Sequence, residues 1–222
     1  MKHINITSGE YLNNYLKTNQ QGVFISFNEA MIQGDLLYPL FDKRFIEKRA
    51  LLHNVKKEEY EEKLHEFLNI TSFSNQIEKI TLWFGCDAFC IINLLTVLTY
   101  LDQIGYDKEI FVNIVDDETN KVISNNHKVS INNIKEIYLS LSNRKQILTN
   151  VDFIDKGIQD YLYITSDNNF VIDYIKQNKD KLTKKELLYN LLNQTKSYGL
   201  SDTFLLSVIN KRVNLWKKDL NY

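Results

Sequence analysis

Cysteine, proline and glycine are scarce in the 222-residue sequence, and their scarcity excludes several classes of protein. Two cysteines cannot form the disulfide framework of a small secreted domain. One proline and seven glycines leave no Pro- or Gly-rich linker and no collagen-like repeat. A chain of this length buries roughly 70% of the surface of its unfolded state, so it needs neither a disulfide nor a metal ion in order to fold.

Long apolar runs are missing as well. No segment approaches the roughly 18 consecutive apolar residues that a membrane-spanning helix requires. Residues 1–7 only alternate apolar with polar side chains, whereas a secretory signal contains an apolar run of about 7–15 residues. We therefore expect a cytoplasmic protein that does not interact with a membrane.

The net charge of −1 hides an uneven distribution of charges along the chain. Residues 1–169 contain 17 lysines and arginines against 23 aspartates and glutamates, whereas residues 170–222 contain 10 against 5. The last quarter of the chain is therefore basic. Because it contains no dense stripe of lysine and arginine, DNA is only an alternative partner.

The hydrophobic pattern predicts an α/β fold with a mainly parallel sheet of four or five strands, followed by helices. Apolar segments typical of strands alternate with segments of helical periodicity, which indicates parallel β-α-β units with right-handed crossovers. We divide the chain into an α/β domain (1–125) and an all-helical C-terminal domain (126–222). The predicted strands cover residues 2–6, 22–27, 77–84 and 109–115, with a short extra strand at 120–124. The predicted helices cover residues 8–17, 39–55, 57–68 and 87–104, and further helices follow from residue 130 onward.

Glycines and acidic residues follow the predicted strands. Ligands of open α/β sheets bind beyond the carboxyl ends of the strands, so these residues predict a ligand site. Glycine permits a close approach of the backbone, and carboxylates bind hydroxyl groups, metal ions or protons. Because acidic loops repel a bare phosphate, a metal ion, Arg44 or Arg49 would have to compensate their charge. The candidate residues are Gly9, Glu10, Glu29, Gly34, Arg49 and Asp87, together with the run Asp116-Asp117-Glu118.

A structural explanation competes with the functional one at several of these positions. Asp87 and Glu10 stand where a helix is predicted to begin, and acidic residues there commonly cap the helix. A run of three acidic residues such as 116–118 is usually a solvated turn. Both interpretations stay open at the level of sequence.

Several motifs of known chemistry are absent from the sequence. It contains no Walker A loop, no G-x-G-x-x-G segment and no G-x-S-x-G nucleophile elbow. The histidines and cysteines lack the spacing of a zinc site, and Cys90 is expected in the core. We therefore name no cofactor, no metal and no reaction, and a nucleophilic pair of Cys86 with a distant histidine stays open.

The basic C-terminal region has two interpretations. Helices over 183–198 and 201–210, separated at Gly199, are compatible with a helix-turn-helix that binds DNA. The second of these helices is mostly apolar and offers few side chains for base edges, so an amphipathic packing helix fits it better. In the DNA-binding interpretation, the phosphate contacts come from Lys211, Arg212, Lys217 and Lys218.

The segment TLWFGCDAFCIINLLTVLTYL, from Thr81 to Leu101, resembles the bacterial family known as domain of unknown function 1835. Members of that family are similar to LWFE-x-DLFCQ-x-N followed by a helix. Two earlier segments resemble other parts of the family pattern, since ITSGE is similar to its opening TNGD and FNEAMIQG to its W-x-E-x-x-x-x-G loop. The segments DYLYITSDNNFVIDYI and YGLSDTFLLSVI are similar to the helical region that usually accompanies the domain, so the resemblance covers nearly the whole chain.

The resemblance implies an α/β fold and a site at the strand ends. It implies no reaction, because the family has no established activity. The chain departs from the family pattern at Asn5 (usually histidine), Glu10 (aspartate), Asp35 (proline), Gly85 (glutamate) and Ile91 (glutamine). The matching residues are Gly9, Glu29, Gly34, Arg49, Trp83, Asp87 and Asn93.

Two functional hypotheses of different kinds follow from the sequence. In the first, the α/β half binds a nucleotide-like or other polar small molecule at the strand ends, with or without catalysis. In the second, the protein is a non-enzymatic regulator whose basic helical half contacts DNA or a protein partner. The sequence leaves the ligand, the cofactor and the oligomeric state open.

Overall fold

A computed structural model describes residues 3–116 and 119–219, with side chains as far as residue 212. The strands are β1 (His3–Ser8), β2 (Phe24–Phe27), β3 (Lys79–Phe84), β4 (Glu109–Val115) and β5 (Val122–Val129). The helices are α1 (Gly9–Asn19), α2 (Lys43–His53), α3 (Lys57–Leu68), α4 (Ile70–Phe73), α5 (Ala88–Gln103), α6 (Ile134–Ser142), α7 (Asp152–Ile164), α8 (Phe170–Asn178), α9 (Lys184–Gln194) and α10 (Asp202–Asp219).

The five strands form one sheet in the order β2-β1-β3-β4-β5. β1 pairs in parallel with both β2 and β3, and β3 pairs in parallel with β4, whereas β5 runs antiparallel beside β4. The predicted α/β fold with a mainly parallel sheet is therefore confirmed. Because the chain moves from β1 to one side of the sheet and from β3 to the other, the topological switch point lies between these two strands.

The two faces of the sheet are covered by different helices. Side chains alternate along each strand, so residues such as Ile6 and Leu82 point to one face, where they join the main hydrophobic core with α2, α3 and α5. On the other face, Leu12 and Leu16 of α1 pack in a smaller cluster that includes Trp83. The loops at the carboxyl ends of the strands therefore lie between helices from both faces.

Several elements differ from their predicted bounds, and α2 and β5 show the physical reason. The helix expected from Pro39 begins at Lys43, because the side chain of Asp42 accepts a hydrogen bond from Phe45 N (2.7 Å) and caps the helix there. The extra strand expected at residues 120–124 is β5, which extends to Val129. β5 lies at the edge of the sheet and is largely exposed, so its sequence VISNNHKV lacks the apolar pattern of a buried strand.

The helices beyond β5 extend the core of the sheet. Buried residues from both halves of the chain form one continuous hydrophobic cluster, and α5 packs against α6 and α7. Gly157 of α7 lies so close to α5 that a Cβ atom at this position would be 2.3 Å from Ile91 Cγ1. The boundary near residue 125 falls within β5.

The predicted helix signals near the C-terminus are confirmed. Thr183 Oγ1 accepts a hydrogen bond from Glu186 N, and Glu186 Oε2 accepts one from Thr183 N, which together form a capping box. Gly199, with φ of 66°, ends the turn after α9. Ser201 Oγ then accepts a hydrogen bond from Phe204 N at the start of α10.

The first half of α10 packs into the core, as expected for an amphipathic packing helix. Phe204, Leu205 and Ile209 are buried and belong to the main hydrophobic cluster. Lys217 and Lys218, which the DNA-binding interpretation uses, lie outside the described side chains. Among the helices described, α10 included, none has both the length and the apolar character needed to cross a membrane.

Candidate functional site

A cleft of about 440 Å³ opens at the carboxyl ends of β1 and β2. It borders the topological switch point, because β1 is one of the two strands on either side of that point. Open α/β sheets bind their ligands at this place. Residues that line the cleft include Ser8, Gly9, Glu10, Asn28, Lys63 and Phe89.

Gly9 keeps the cleft open at the start of α1. Its φ is 80°, and no atom lies within 4 Å of the position that a Cβ would take. A left-handed backbone costs other residues about 1–2 kcal/mol, which gives glycine a physical advantage here. The preceding Ser8 does not cap α1 with its side chain, and its Oγ lies 3.5 Å from Cys90 Sγ of α5. The first turns of α1 and α5 thus adjoin at the switch point.

Glu10 presents an ionised carboxylate at the cleft. Its Oε2 accepts hydrogen bonds from Ser26 Oγ (2.7 Å) and Asn28 Nδ2 (3.2 Å). The bond from Ser26, supported by the bond from Asn28, lowers the pKa of Glu10 below its ordinary value. No described residue hydrogen-bonds Oε1, and the side chain is exposed, so this oxygen can accept a bond from a ligand.

Lys63 and Phe89 line the same cleft and complement the carboxylate of Glu10. Lys63, on α3, is exposed and carries a positive charge, and Phe89, on α5, adds a partly buried aromatic ring. The cleft therefore combines a hydrogen-bond acceptor, a cation and an apolar wall. Small-molecule sites commonly pair an apolar lining with a few such polar groups.

Glu29 also lines the cleft, but its side chain is completely buried. The carboxylate accepts hydrogen bonds from Arg49 Nη2, from His53 Nε2 (2.8 Å), from Tyr60 Oη and from Ala30 N (2.7 Å). A buried carboxylate is tolerated when it is paired and hydrogen-bonded in this way. The side chain of Glu29 is thus satisfied within the protein.

The charge of Glu29 is stable despite its burial. Burial alone would raise the pKa of Glu29, but the hydrogen bond from His53, the charge and hydrogen bond of Arg49 and the hydrogen bond from Tyr60 together lower it well below the ordinary value. Burial and the neighbouring carboxylate raise the pKa of Tyr60 far above its ordinary value, so Tyr60 stays a hydrogen-bond donor. Glu29 and Arg49 therefore form a buried ion pair.

Arg49 supports the loop that follows β2. It is 1% exposed, and its Nη2 donates to Ala30 O (3.0 Å) as well as to Glu29. Its Nη1 donates to Gln33 O. Arg49 was predicted to compensate the charge of acidic loop residues. It compensates the charge of Glu29, in a buried ion pair that stabilises the loop.

Gly34 and Asn93 complete this support. Gly34 has φ of 76°, and a Cβ there would lie 2.7 Å from Leu52 Cδ2. Asn93 Oδ1 accepts a hydrogen bond from Met31 N (3.0 Å), and its Nδ2 donates to Glu29 O (2.6 Å). Four residues that match the family pattern thus lie close together and stabilise the loop after β2. They are Glu29, Gly34, Arg49 and Asn93.

Asp87 is not among the residues that line the cleft, and it caps α5. Its Oδ1 accepts a hydrogen bond from Cys90 N (2.8 Å). A Cβ at Gly199 would lie 2.4 Å from this oxygen, so the turn between α9 and α10 packs against the carboxylate. The geometry matches the helix-cap interpretation, and a role of Asp87 in ligand binding stays a prediction.

Replacement of Asp87 by alanine is expected to lower the free energy of unfolding by about 1 kcal/mol, the usual cost of a lost N-cap. Asp87→Asn retains an accepting oxygen and is expected to change the free energy much less. Urea unfolding of both variants measures the difference. A loss of several kcal/mol in Asp87→Asn would contradict the cap and indicate that the charge itself is needed.

The acidic run after β4 begins in a turn. Asp116 Oδ1 accepts hydrogen bonds from Thr119 N and Thr119 Oγ1, both at 2.7 Å. Asp117 and Glu118 lie outside the described residues. Within residues 3–116 and 119–219, no group of three or more His, Cys, Asp or Glu side chains is arranged to hold a metal ion.

Trp83 and the two cysteines lie apart from the lining of the cleft. Trp83 Nε1 donates a hydrogen bond to Asn5 Oδ1 (2.9 Å) on the face of the sheet that α1 covers. Cys86 is exposed, whereas Cys90 is buried, as predicted for a core position. Trp83, which matches the family pattern, thus has a structural role.

Sequence reasoning missed His53, Tyr60 and Lys63. The sequence contains a signal for His53. His53 follows Arg49 by four residues on a predicted helix, so the two side chains share one face of that helix. Tyr60 and Lys63 lie on α3, whose acidic sequence is typical of a solvated helix. Nothing in that pattern indicates that one side of α3 meets Glu29.

A second cleft, of about 380 Å³, lies between the loop after β2 and the C-terminal helices. The basic side chains Arg144, Lys211 and Arg212 line this junction cleft. Arg212 forms an ion pair with Asp167, and Arg144 donates to Thr165 Oγ1 (3.2 Å). Two of these three cations are therefore already engaged within the protein.

Comparisons of the chain with protein-family models, with curated proteins and with solved structures found no match. The resemblance to domain of unknown function 1835 stays a prediction. The functional proposal therefore rests on the geometry of the cleft at the strand ends.

Proposed function

We propose that the protein binds a nucleotide-like polar small molecule in the cleft at the carboxyl ends of β1 and β2. One observation carries the proposal: three complementary groups line a single cleft beside the switch point. They are the backbone of Gly9, which has free space where a Cβ would be, the ionised carboxylate of Glu10 and the ammonium group of Lys63. The expectation of a cytoplasmic protein belongs to the same proposal.

The polar groups of the cleft favour a nucleoside or a nucleotide of low charge. A carboxylate such as Glu10 accepts hydrogen bonds from sugar hydroxyls, and a ring such as Phe89 packs against a flat base. Lys63 and the first turn of α1 favour an anionic group. The acidic neighbours of Lys63 on α3, Glu59 and Glu62, disfavour a ligand with many negative charges.

A thermal-shift screen of nucleosides, nucleotides and sugars tests the proposal on the wild type and two glycine variants. Gly9→Ala and Gly105→Ala form a matched pair, because φ is 80° at Gly9 and 72° at Gly105, and neither has an atom within 4 Å of its Cβ position. Each variant is expected to lose about 1–2 kcal/mol of stability, because alanine in both has to adopt a left-handed backbone conformation. Only Gly9 lines the cleft, since Gly105 follows the far end of α5.

A ligand at 100 times its dissociation constant adds about 2.7 kcal/mol to the stability, which raises Tm by roughly 5–10 °C in a chain of this size. This shift is expected in the wild type and in Gly105→Ala. It is expected to be reduced in Gly9→Ala and in Glu10→Gln. A screen without any shift, or a full shift in Gly9→Ala and Glu10→Gln, would contradict the proposal.

The alternative function is a regulator whose basic C-terminal helices contact DNA. The buried apolar side of α10 weighs against it. Retention on DNA that weakens with salt would favour the alternative, provided that neutralisation of the basic residues abolishes it. The residues to neutralise are Lys211, Arg212, Lys217 and Lys218.

A further inference from the structure

Another cleft, of about 390 Å³, opens beside His53 at the end of α2. Val55, Glu59, Tyr60 and Lys63 also line this His53 cleft. Lys63 lines the cleft at the strand ends as well, so the two clefts share one cation. The two clefts therefore adjoin at Lys63.

The imidazole of His53 has one buried and one accessible nitrogen. Its Nε2 lies 2.8 Å from Oε1 of Glu29, whose side chain is completely buried, whereas the His53 side chain is 19% exposed. No described residue hydrogen-bonds Nδ1, and Nδ1 is not one of the buried polar atoms that lack a partner. Nδ1 is therefore reached by solvent.

The contacts of Arg49 determine which nitrogen of His53 carries the proton. Arg49 Nη2 lies 3.2 Å from His53 Nε2 and could in principle donate to it. The two hydrogens of Nη2 already point to Glu29 Oε1 and Ala30 O. Nε2 therefore carries a hydrogen and donates it to Glu29, and the lone pair of the neutral imidazole lies on Nδ1.

His53 is not required to neutralise Glu29. The carboxylate already has the guanidinium of Arg49, the hydroxyl of Tyr60 and the amide of Ala30 as donors. The bond from His53 adds a fourth donor and orients a ring that reaches an open cleft. A buried carboxylate that orients a histidine in this way is the arrangement that enzymes use to prepare a general base.

We propose that His53 is a general base that accepts a proton from a hydroxyl group of a ligand spanning the two clefts, with Glu29 as its positioning residue. In this step the O–H bond of the hydroxyl breaks and an N–H bond forms at Nδ1. Lys63, which lines both clefts, supplies a positive charge for the resulting oxyanion, and the resulting imidazolium stays hydrogen-bonded to the carboxylate of Glu29. The identity of the ligand rests on the function proposed above. The tautomer of His53 and the accessibility of its Nδ1 do not depend on that function. The charged and titratable groups around His53 are Glu29, Arg49, Glu59, Tyr60 and Lys63.

Two measurements on the folded wild-type protein test the state of His53. Long-range ¹H–¹⁵N NMR in mildly alkaline buffer, where an ordinary imidazole is neutral, reports the tautomer of each histidine. His53→Gln assigns the signal of His53. We expect the Nε2–H tautomer for His53, and diethyl pyrocarbonate is expected to acylate its accessible Nδ1, as mass spectrometry detects. An Nδ1–H tautomer, or a His53 that resists acylation, would overturn the inference.

Ligand protection separates this inference from the proposed function. A nucleoside that binds the cleft at the strand ends and extends past Lys63 is expected to abolish acylation of His53 but not of His65, which is exposed on the same helix as Lys63. Binding that leaves the acylation of His53 unchanged would overturn the catalytic inference and leave the binding function intact. The Nε2–H tautomer with a reactive Nδ1, in a protein that binds none of the nucleosides tested, would support the base and contradict the proposed ligand.

Discussion

Replacement of Arg49 by methionine is expected to lower the free energy of unfolding by about 3–5 kcal/mol, the usual cost of removing one partner from a buried ion pair. Methionine occupies a similar volume but leaves the carboxylate of Glu29 without its counter-charge. The substitution also removes the donors to Ala30 O and Gln33 O. A loss of this size exceeds a third of the stability of many domains, so the variant is expected to show a large fall in Tm.

Arg212→Met is the matched control for this prediction. Arg212 also pairs with a carboxylate, but the side chain of its partner Asp167 is 90% exposed. Exposed ion pairs contribute about 0–1 kcal/mol, so this variant is expected to unfold nearly like the wild type. Urea unfolding of both variants compares the two pairs directly. A loss in Arg49→Met as small as the one expected for Arg212→Met would mean that Arg49 and Glu29 are solvated in solution, contrary to the buried pair described above.

Replacement of Gly157 by alanine is expected to lower the free energy of unfolding by about 1–3 kcal/mol, as overpacking does in a tight core. Inside an exposed stretch of helix the same change would stabilise the protein by roughly 0.5–1 kcal/mol. The sign reverses here because the new Cβ would lie 2.3 Å from Ile91 Cγ1 and 2.6 Å from Ile91 Cβ. The Cβ atom of Ile91 is bonded directly to the backbone of α5 and cannot rotate away. The two helices α5 and α7 would therefore have to move apart.

Gln159→Ala, at an exposed position of the same helix, is the control and is expected to change the free energy by less than about 0.5 kcal/mol. Denaturation followed by circular dichroism measures both variants. Because Gly157 and Ile91 come from opposite halves of the chain, the loss is expected in one cooperative transition. A neutral or stabilising effect of Gly157→Ala would show that α7 does not pack on α5 in this way.

The parts of the fold with strong apolar patterns could be predicted from the sequence. The apolar segments GVFISF and EIFVNIV and the apolar helix α5 indicate parallel β-α-β units, because the strands of such units are covered on both faces. β5 was predicted only in part, since an edge strand buries little of its surface. The start of α2 was predicted at Pro39, because proline suits the first turn of a helix, whereas Asp42 caps the helix and it begins at Lys43.

The position of the candidate site could be predicted better than the role of each residue. Gly9 and Glu10 line the cleft because the rule for strand ends depends only on topology. Sequence alone does not show whether a carboxylate is buried with a partner, so Glu29 and Arg49 were expected at the surface of a ligand site. Their pairing depends on α2 folding back over the loop after β2, a tertiary contact without a local signal.

Mapping of amide chemical shifts during titration with the best nucleoside or nucleotide from the thermal-shift screen tests the central claim most directly. The ligand is expected to shift the amide signals of Gly9, Glu10 and Ala30 in a saturable way, since these residues line the cleft at the strand ends. The signals of Asp167 and Lys211 in the junction cleft are expected to stay in place. Saturable shifts confined to Asp167 and Lys211, or no saturable shift at Gly9 and Glu10, would contradict a ligand site at the ends of β1 and β2.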